Sequence, residues 1–429
     1  MYYLAIFLYS LAVRLVAPFN KKAKKMLAGQ RETFSILKKQ LDPNAPYIWF
    51  HAASLGEFEQ GRPLMERIRQ EKPEYKILLT FFSPSGYEVR KNYSGADIIC
   101  YLPFDHTWNA RKFLTLVKPE IAIFIKYEFW LNYINQLKRF NIPTYIISAI
   151  FRPKQIFFRW YAYRYRTVLN NYKWFFVQDR QSLELLEKFK FKNASITGDT
   201  RFDRVYEIFE QRKDIPLVEK FLNKTVNEKT FTLVAGSTWV KDEDILIPFI
   251  NQHPEIKLII AQHEINEQRI ESLKSRFTGP VVRYSQAKED TITGASCLII
   301  DSIGFLSSIY RYGDFAYIGG GFGKGIHNIL EAAVYGIPIM FGPNHRKFKE
   351  AKELIACRGA MPITSKEDFA SKMNDFLSYP ELIDESGKSA KDYVIGNLGA
   401  THKIYEFLCH SALDAESHVN SGDCESSPQ

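Results

Sequence analysis

The sequence predicts an α/β protein made of two halves, each built on a mostly parallel sheet. Three observations carry this. Short apolar runs alternate with helical segments in two separate series along the 429 residues. Nearly every run ends in a polar or glycine-rich turn, and a charged stretch without strand signals, about 204–229, divides the two series. Such alternation indicates parallel strands joined by helical crossovers, and ligands of these sheets gather at the carboxyl ends of the strands.

Residues 1–19 are almost wholly apolar, with Arg14 the one charge, and Lys21, Lys22, Lys24 and Lys25 follow. A signal peptide places its charges before the apolar core. The reversed order reads as a membrane-anchor helix over 1–20 with its basic side cytoplasmic. Interrupted by Arg14, it is marginal for a full span and suits the interface; a helix packed on its own domain is the plain alternative.

The first half, 21–210, holds apolar runs at 47–53, 77–82, 98–102, 121–125, 144–148 and 174–177. Ser54, Glu57, Ser83, Ser85, Asp105 and Glu128 stand at their carboxyl ends, where one crevice should collect them. Glu57 falls in the first turn of a helix, behind Gly56, which leaves space, and is the best-placed base. Ser54-x-x-Glu57 also fits a capping box. Residues 151–166 interleave Arg152, Lys154, Arg159, Arg164 and Arg166 with seven aromatics. That mixture suits lipid headgroups or nucleic acid, and equally an ordinary helix with a basic face.

The second half, 211–408, has runs at 231–235, 257–261, 297–300, 315–318 and 337–341. Their turns are Gly236-Ser237-Thr238, Gln262-His263-Glu264, Asp301-Ser302-Ile303-Gly304 and a loop with Gly319, Gly320, Gly321, Gly323 and Gly325. A helix carrying Ile329, Leu330, Ala333 and Val334 follows this loop and stops at Gly336. A helix N-terminus behind a loop of so little bulk suits phosphate. Glu331 could accept from ribose hydroxyls, while Asn328-x-x-Glu331 also fits a capping box; His327 reads as a solvated loop residue. The loop is neither a P-loop nor G-x-G-x-x-G opening a helix. Residues 366–408 read as helical, with the last helices free to pack back on the first half. Residues 409–429 read as a disordered tail.

A charged content of 24% and a net charge of +9, with 15% aromatics, point to an anionic partner. Cys100, Cys297, Cys357, Cys409 and Cys424 form no C-x-x-C pair, against a zinc site or a disulfide framework. There is no H-E-x-x-H and no G-x-S-x-G, so neither a zinc peptidase nor a hydrolase elbow is indicated. No nucleic-acid recognition module is present.

Taken in order, the motifs combine. His51-Ala52-Ala53-Ser54-Leu55-Gly56-Glu57, Leu102 to Asp105, Gly236 to Thr238, Asp301 to Gly304, His327 to Glu331, Gly336 to Pro338 and Phe341 to Pro343 resemble the signatures of the bacterial 3-deoxy-D-manno-octulosonic acid (Kdo) transferases over roughly 1–408. These are membrane-associated glycosyltransferases of the GT-B fold. The resemblance implies two Rossmann-like domains facing across a cleft, with an N-terminal membrane-anchoring helix. It implies inverting transfer of Kdo from CMP-Kdo to an anionic lipid A precursor (lipid IVA) in lipopolysaccharide biosynthesis, at the cytoplasmic face of the inner membrane. No metal or other cofactor is expected. Glu57 matches the family's general base, with Ser54, Gly56, Ser83, Glu128 and Arg201 supporting it or facing the acceptor. Ser237, Thr238, His263, Ile303, Gly304, Asn328 and Glu331 match the donor pocket.

Three departures stand out. Lys126 replaces an acidic residue before Glu128. Ala261-Gln262-His263 lacks the arginine of the family's Ala-Pro-Arg-His, leaving Lys241, Lys324 or Arg346 as replacements. Gly198-Asp199-Thr200-Arg201 keeps its positive charge in Arg201. Two other readings compete: a GT-B transferase using a different nucleotide sugar on a lipid or wall polymer, and a non-catalytic nucleotide-sugar-binding membrane protein.

Overall fold

The computed structural model describes residues 2–211, 214–222, 230–288, 292–302 and 304–413. They form two units, 1–204 with 398–429 and 205–397.

Unit 1 begins with α1 (Tyr2–Val16) and α2 (Lys21–Gln40), bent from one another by 116°. Asn20 starts α2 by accepting from the amides of Lys22 and Ala23, a standard N-cap. Met26, Gln30, Thr33 and Leu37 recur at helical spacing and are the buried face of α2. The Thr33 hydroxyl donates to the Tyr101 carbonyl at 2.8 Å. Among the described residues no single helix is long and apolar enough to cross a membrane. Leu4, Phe7, Leu8, Leu11 and Leu15 of α1 are all exposed.

Then follow β1 (Tyr47–Ala52), α3 (Leu55–Glu71), β2 (Lys76–Phe81), α4 (Pro84–Arg90), β3 (Ile98–Tyr101), α5 (Thr107–Val117), β4 (Ile121–Ile125), α6 (Leu131–Arg139), β5 (Thr144–Ala149), β6 (Trp174–Val177) and β7 (Ala194–Ile196). The sheet is parallel throughout, in the order β3-β2-β1-β4-β5-β6-β7. β1 is buried at all six positions, as a strand covered on both faces must be. Trp49 packs with Phe113, Phe124 and Tyr133 on one side. Ile48 and Phe50 pack with Phe58, Leu64 and residues near the chain's end on the other.

Unit 2 carries β8 (Phe231–Thr238), β9 (Ile256–Gln262), β10 (Val281–Arg283), β11 (Cys297–Ile299), β12 (Phe315–Ile318), β13 (Ile339–Phe341) and β14 (Ala360–Pro362). These strands are also all parallel, in the order β10-β11-β9-β8-β12-β13-β14. Strand order reverses at β1/β4 in one sheet and at β8/β12 in the other. The carboxyl ends flanking those reversals are where open α/β sheets hold ligands.

Several expectations need correction. The stretch 204–229 is not an open linker where it is described. Helices Arg201–Glu210 and Pro216–Leu222 occupy it and bury Val205, Phe209, Val218 and Phe221; their charges lie on the faces left over. The second unit ends at Asn397 rather than 408, and helix Ala400–Leu408 packs back on unit 1, as the sequence allowed. Ile404, Tyr405 and Leu408 enter the core beside Phe58 and Leu64. The Asp203 carboxylate fastens the start of that helix, accepting from the amides of Gly399 and Thr401 and the Thr401 hydroxyl, each at 2.7 Å. Of the expected tail, 414–429 lies outside the described residues. Residues 409–413 form a π-helical turn that buries Cys409 and Leu413. The segment 151–166 is no regular amphipathic helix. It folds as two short 3-10 turns and a four-residue helix, burying Phe157 and Phe158 while leaving Trp160, Tyr161 and Tyr163 exposed.

Candidate active site

In unit 1 the turn after β1 delivers Glu57 to the carboxyl end of the sheet. Its Oε2 accepts from the Ser54 amide at 3.0 Å and the Ser54 hydroxyl at 3.3 Å, so the capping geometry is real and fixes the carboxylate. Burial, then the negative charge of Glu128, push the Glu57 carboxyl up to about 7. Lys126 and the amides of Ser54 and Ala53 pull it back. Gly56 beside it faces open space. Ser83 caps α4 through the Ser85 amide and bonds its own amide to the Ala53 carbonyl at 2.7 Å, tying the β1 and β2 turns together.

Glu128 follows β4, the neighbour of β1. Its Oε2 accepts from Trp130 Nε1 at 2.5 Å. Fully buried His51 points Nε2 at the same oxygen from 3.4 Å and meets the Thr80 hydroxyl with Nδ1 at 2.9 Å. Trp49 Nε1 donates to that hydroxyl oxygen at 2.8 Å. A chain of polar groups thus runs behind Glu128 inside an otherwise apolar core. Lys126 begins the loop with φ at 67°, and Ser148, inside neighbouring β5, has φ at 50°. Left-handed backbone at non-glycine residues costs about 1 kcal/mol or more and concentrates at functional sites. Arg201 is paired with buried Asp199, 2.7 Å from Oδ2, while Gln60 Nε2 donates to Asp199 Oδ1 at 3.1 Å; the Arg201 charge is therefore already balanced.

In unit 2, Ser237 sits near the end of β8 with φ at 54°, and Thr238 is buried, donating to Glu243 at 3.3 Å. His263, just past β9, stacks on His327 at 4.2 Å and lies 4.9 Å from the Trp239 ring. Trp239 Nε1 donates to His327 Nε2 at 3.3 Å. Burial, then the His263 ring, lower the His327 pKa to about 4, so this imidazole stays neutral near pH 7 and accepts the indole N–H. Arg269 lies over the Trp239 ring at 5.5 Å and 3.5 Å from Glu243. Asp242 accepts from the amides of Trp239 and Gly320 and from the Tyr317 hydroxyl, all at 2.9 Å, pinning the glycine loop to the β8 turn.

The glycines of that loop are needed by neighbouring backbone. A Cβ on Gly319 would stand 2.2 Å from the Ser237 carbonyl oxygen, and one on Gly321 2.5 Å from the Gly342 amide. The helix after the loop is a single turn, Leu330–Ala333, shorter than the apolar spacing suggested. Asn328 Nδ2 donates to Glu331 at 2.8 Å, and the Ser307 hydroxyl donates to the other Glu331 oxygen at 2.8 Å. Gly304 has φ at 96° and faces open space; Ile303 lies outside the described residues.

The description "3-Deoxy-D-manno-octulosonic-acid transferase (kdotransferase)" fits residues 28–204. A 3-deoxy-D-manno-octulosonic acid transferase of Aquifex aeolicus is 26% identical over 349 residues, covering 80% of this chain and 89% of its own. The chain is similar to the Kdo transferases. Its fold is GT-B. A UDP-GlcNAc 2-epimerase from Neisseria meningitidis superposes with a TM-score of 0.59 at 15% identity, over 85% of this chain and 100% of that one. MurG from Acinetobacter baumannii does so at 0.53 and 13%, over 85% and 99%. At these identities the likeness concerns fold alone.

The Kdo transferase motifs therefore fall on two clusters, one at each reversal of strand order. Glu57, Ser54, Ser83 and Glu128 assemble in the first; Ser237, Thr238 and His263 lie in the second, with Asn328 and Glu331 following the glycine loop. Among the described residues no group of three or more His, Cys, Asp or Glu is placed to hold a metal. Sequence reasoning gave no role to His51, Trp130, Trp239 and Arg269, and its reading of His327 as a solvated loop residue is corrected, because the ring is half-buried against His263 and accepts from Trp239. His51 left one signal: a polar residue inside a run whose every neighbour is apolar. The proposed replacements for the missing arginine, Lys241, Lys324 and Arg346, are all exposed.

Proposed function

We propose that this protein is an inverting glycosyltransferase that moves Kdo from CMP-Kdo to a lipid A precursor, with Glu57 as the base. Similarity to the Kdo transferases supports the donor and the reaction. The observation that carries the base assignment is a buried carboxyl, oriented by Ser54, with its pKa at about 7; general bases work best with a pKa near the working pH. Ionised Glu57 takes the proton of the acceptor hydroxyl as that oxygen attacks the anomeric carbon. The C–O bond to the CMP phosphate breaks, CMP leaves, and configuration inverts. CMP rests against the glycine loop, Asn328 and Glu331 of unit 2, and Arg269 supplies the cation that the motif after β9 lacks. No metal takes part.

The exposed apolar residues of α1, the lysines that open α2, and Trp160, Tyr161 and Tyr163 support docking on an anionic membrane surface. In this reading the reaction runs at the cytoplasmic face of the inner membrane.

The test is transfer from CMP-Kdo to a tetra-acylated lipid A precursor, read by mass spectrometry with and without EDTA. Added Kdo masses in both conditions are expected. Glu57→Gln should lose roughly 10²–10⁴-fold in rate and still bind CMP. Retained turnover in that variant removes Glu57 as base, and absent product with CMP bound sends the donor assignment to another nucleotide sugar.

A further inference from the structure

The first helix does more than expose an apolar surface. Tyr2 donates its hydroxyl proton to the Asp105 carboxylate. Asp105 is buried after β3, and its two oxygens accept from the amides of Asn132 and Tyr133, each at 3.0 Å. Those amides are the second and third of α6, and α6 starts two residues after Phe129, directly behind the loop that presents Glu128. The Asp105 carbonyl also takes the Asn132 side chain at 2.5 Å. One carboxylate therefore holds both the tip of α1 and the base of the Glu128 loop.

A second contact runs in parallel. Tyr9, two turns further along α1, stacks on Phe82 at 6.3 Å. Phe82 packs on Trp130 at 4.6 Å, and Trp130 Nε1 is the hydrogen-bond donor to Glu128. Tyr2 and Tyr9 are seven residues apart, so both project from one side of the helix. Leu4, Leu8 and Leu11 are exposed.

We propose that α1 has a second role beside docking: Tyr2 and Tyr9 are positioning residues that hold the Glu128 loop in its reactive arrangement. The inference rests on the reading of Glu57 and Glu128 as the reacting site. A hydrogen bond to a carboxylate and a set of ring contacts fix the loop more tightly than the loop's own left-handed backbone would. Displacement of a positioned group by about an ångström costs up to about 10²-fold in rate.

The experiment compares Tyr2→Phe/Tyr9→Ala with Leu4→Asp/Leu8→Asp in the full chain, using lipid acceptor in mixed micelles and vesicle flotation on anionic vesicles. The tyrosine variant should float like the parent and lose about tenfold in kcat with little change in KM for the acceptor. The aspartate variant should lose flotation and raise KM with kcat retained. Hydrogen exchange gives a readout that needs no turnover: the Asn132 and Tyr133 amides should exchange faster in Tyr2→Phe. A tyrosine variant that loses flotation and KM together, with kcat and exchange unchanged, overturns the proposal and leaves α1 a simple anchor. Glu57→Gln assayed alongside keeps the two failures distinct: its retained turnover sinks the site assignment, whereas the exchange result still reports on the positioning.

Discussion

Replacing Glu57 by Gln should make the protein more stable while abolishing its chemistry, and the gain should depend on pH in a defined direction. A carboxyl whose folded-state pKa lies above its unfolded value binds its proton more tightly in the folded chain. Its stabilising contribution is complete below pH 4.5 and is lost as pH rises through 7. Raising the pKa from 4.5 to about 7 corresponds, at about 1.4 kcal/mol per pH unit, to roughly 3 kcal/mol lost by pH 8. Glutamine keeps an oxygen to accept from the Ser54 amide, carries no charge to bury and removes the repulsion with Glu128. Five of the six tryptophans, all except Trp239, lie in unit 1, so urea unfolding followed by tryptophan fluorescence reports the unit that holds Glu57. The variant should match the parent at pH 4.5 to 5, pull ahead between pH 5 and 7.5, and hold a constant lead of about 3 kcal/mol above pH 8. A lead that is the same at every pH, or that shrinks as pH rises, would refute the assignment of a buried, proton-hungry carboxyl.

His327 should behave with the opposite sign. Its folded pKa is lowered to about 4, so unit 2 should lose stability as pH falls from 6.5 towards 4, and His327→Gln should flatten that loss in thermal melts. Gly321→Ala should cost unit 2 about 2 kcal/mol or more, because its Cβ would lie 2.5–2.8 Å from the Gly342 backbone; Gly323→Ala, with nothing nearer than 3.5 Å, is the matched control in the same denaturation series. Leu408→Ala should cost unit 1 about 3 kcal/mol, since Leu408 is fully buried against the core that includes Phe58, and its unfolding midpoint in urea should fall accordingly.

The central strands were legible because each is buried on both faces and so reads as an unbroken apolar run. The edge strands β7, β10 and β14 were not. Each is three residues long and none is fully buried, so nothing in Ala194-Ser195-Ile196 separates it from a turn. Glu57 could be placed from spacing alone, since a residue three beyond an N-cap serine must lie at the strand end. The groups behind Glu128 could not, because contact between Thr80 and His51 depends on the register of β1 with β2. The glycine loop was legible as a place of close approach, but the approaching atoms belong to the Ser237 and Gly342 backbones, and glycine spacing carries no record of which backbone comes near. The charged composition of 204–229 hid two helices, because their apolar residues are few and fully committed to packing.

Unit 1 is written in two pieces. The chain leaves it after Arg204 and comes back at Leu398, with all of unit 2 between. During synthesis the ribosome therefore releases the seven strands of the first sheet long before the helix that covers one of its faces. Ile404, Tyr405 and Leu408 arrive about 200 residues later, at 5–20 residues per second. For tens of seconds part of the apolar flank of the nascent sheet stays uncovered, while unit 2, continuous in sequence, can fold on emergence. The half of the molecule made first is thus completed last, and a polypeptide arrested before residue 398 would present a folded second half attached to an unfinished first.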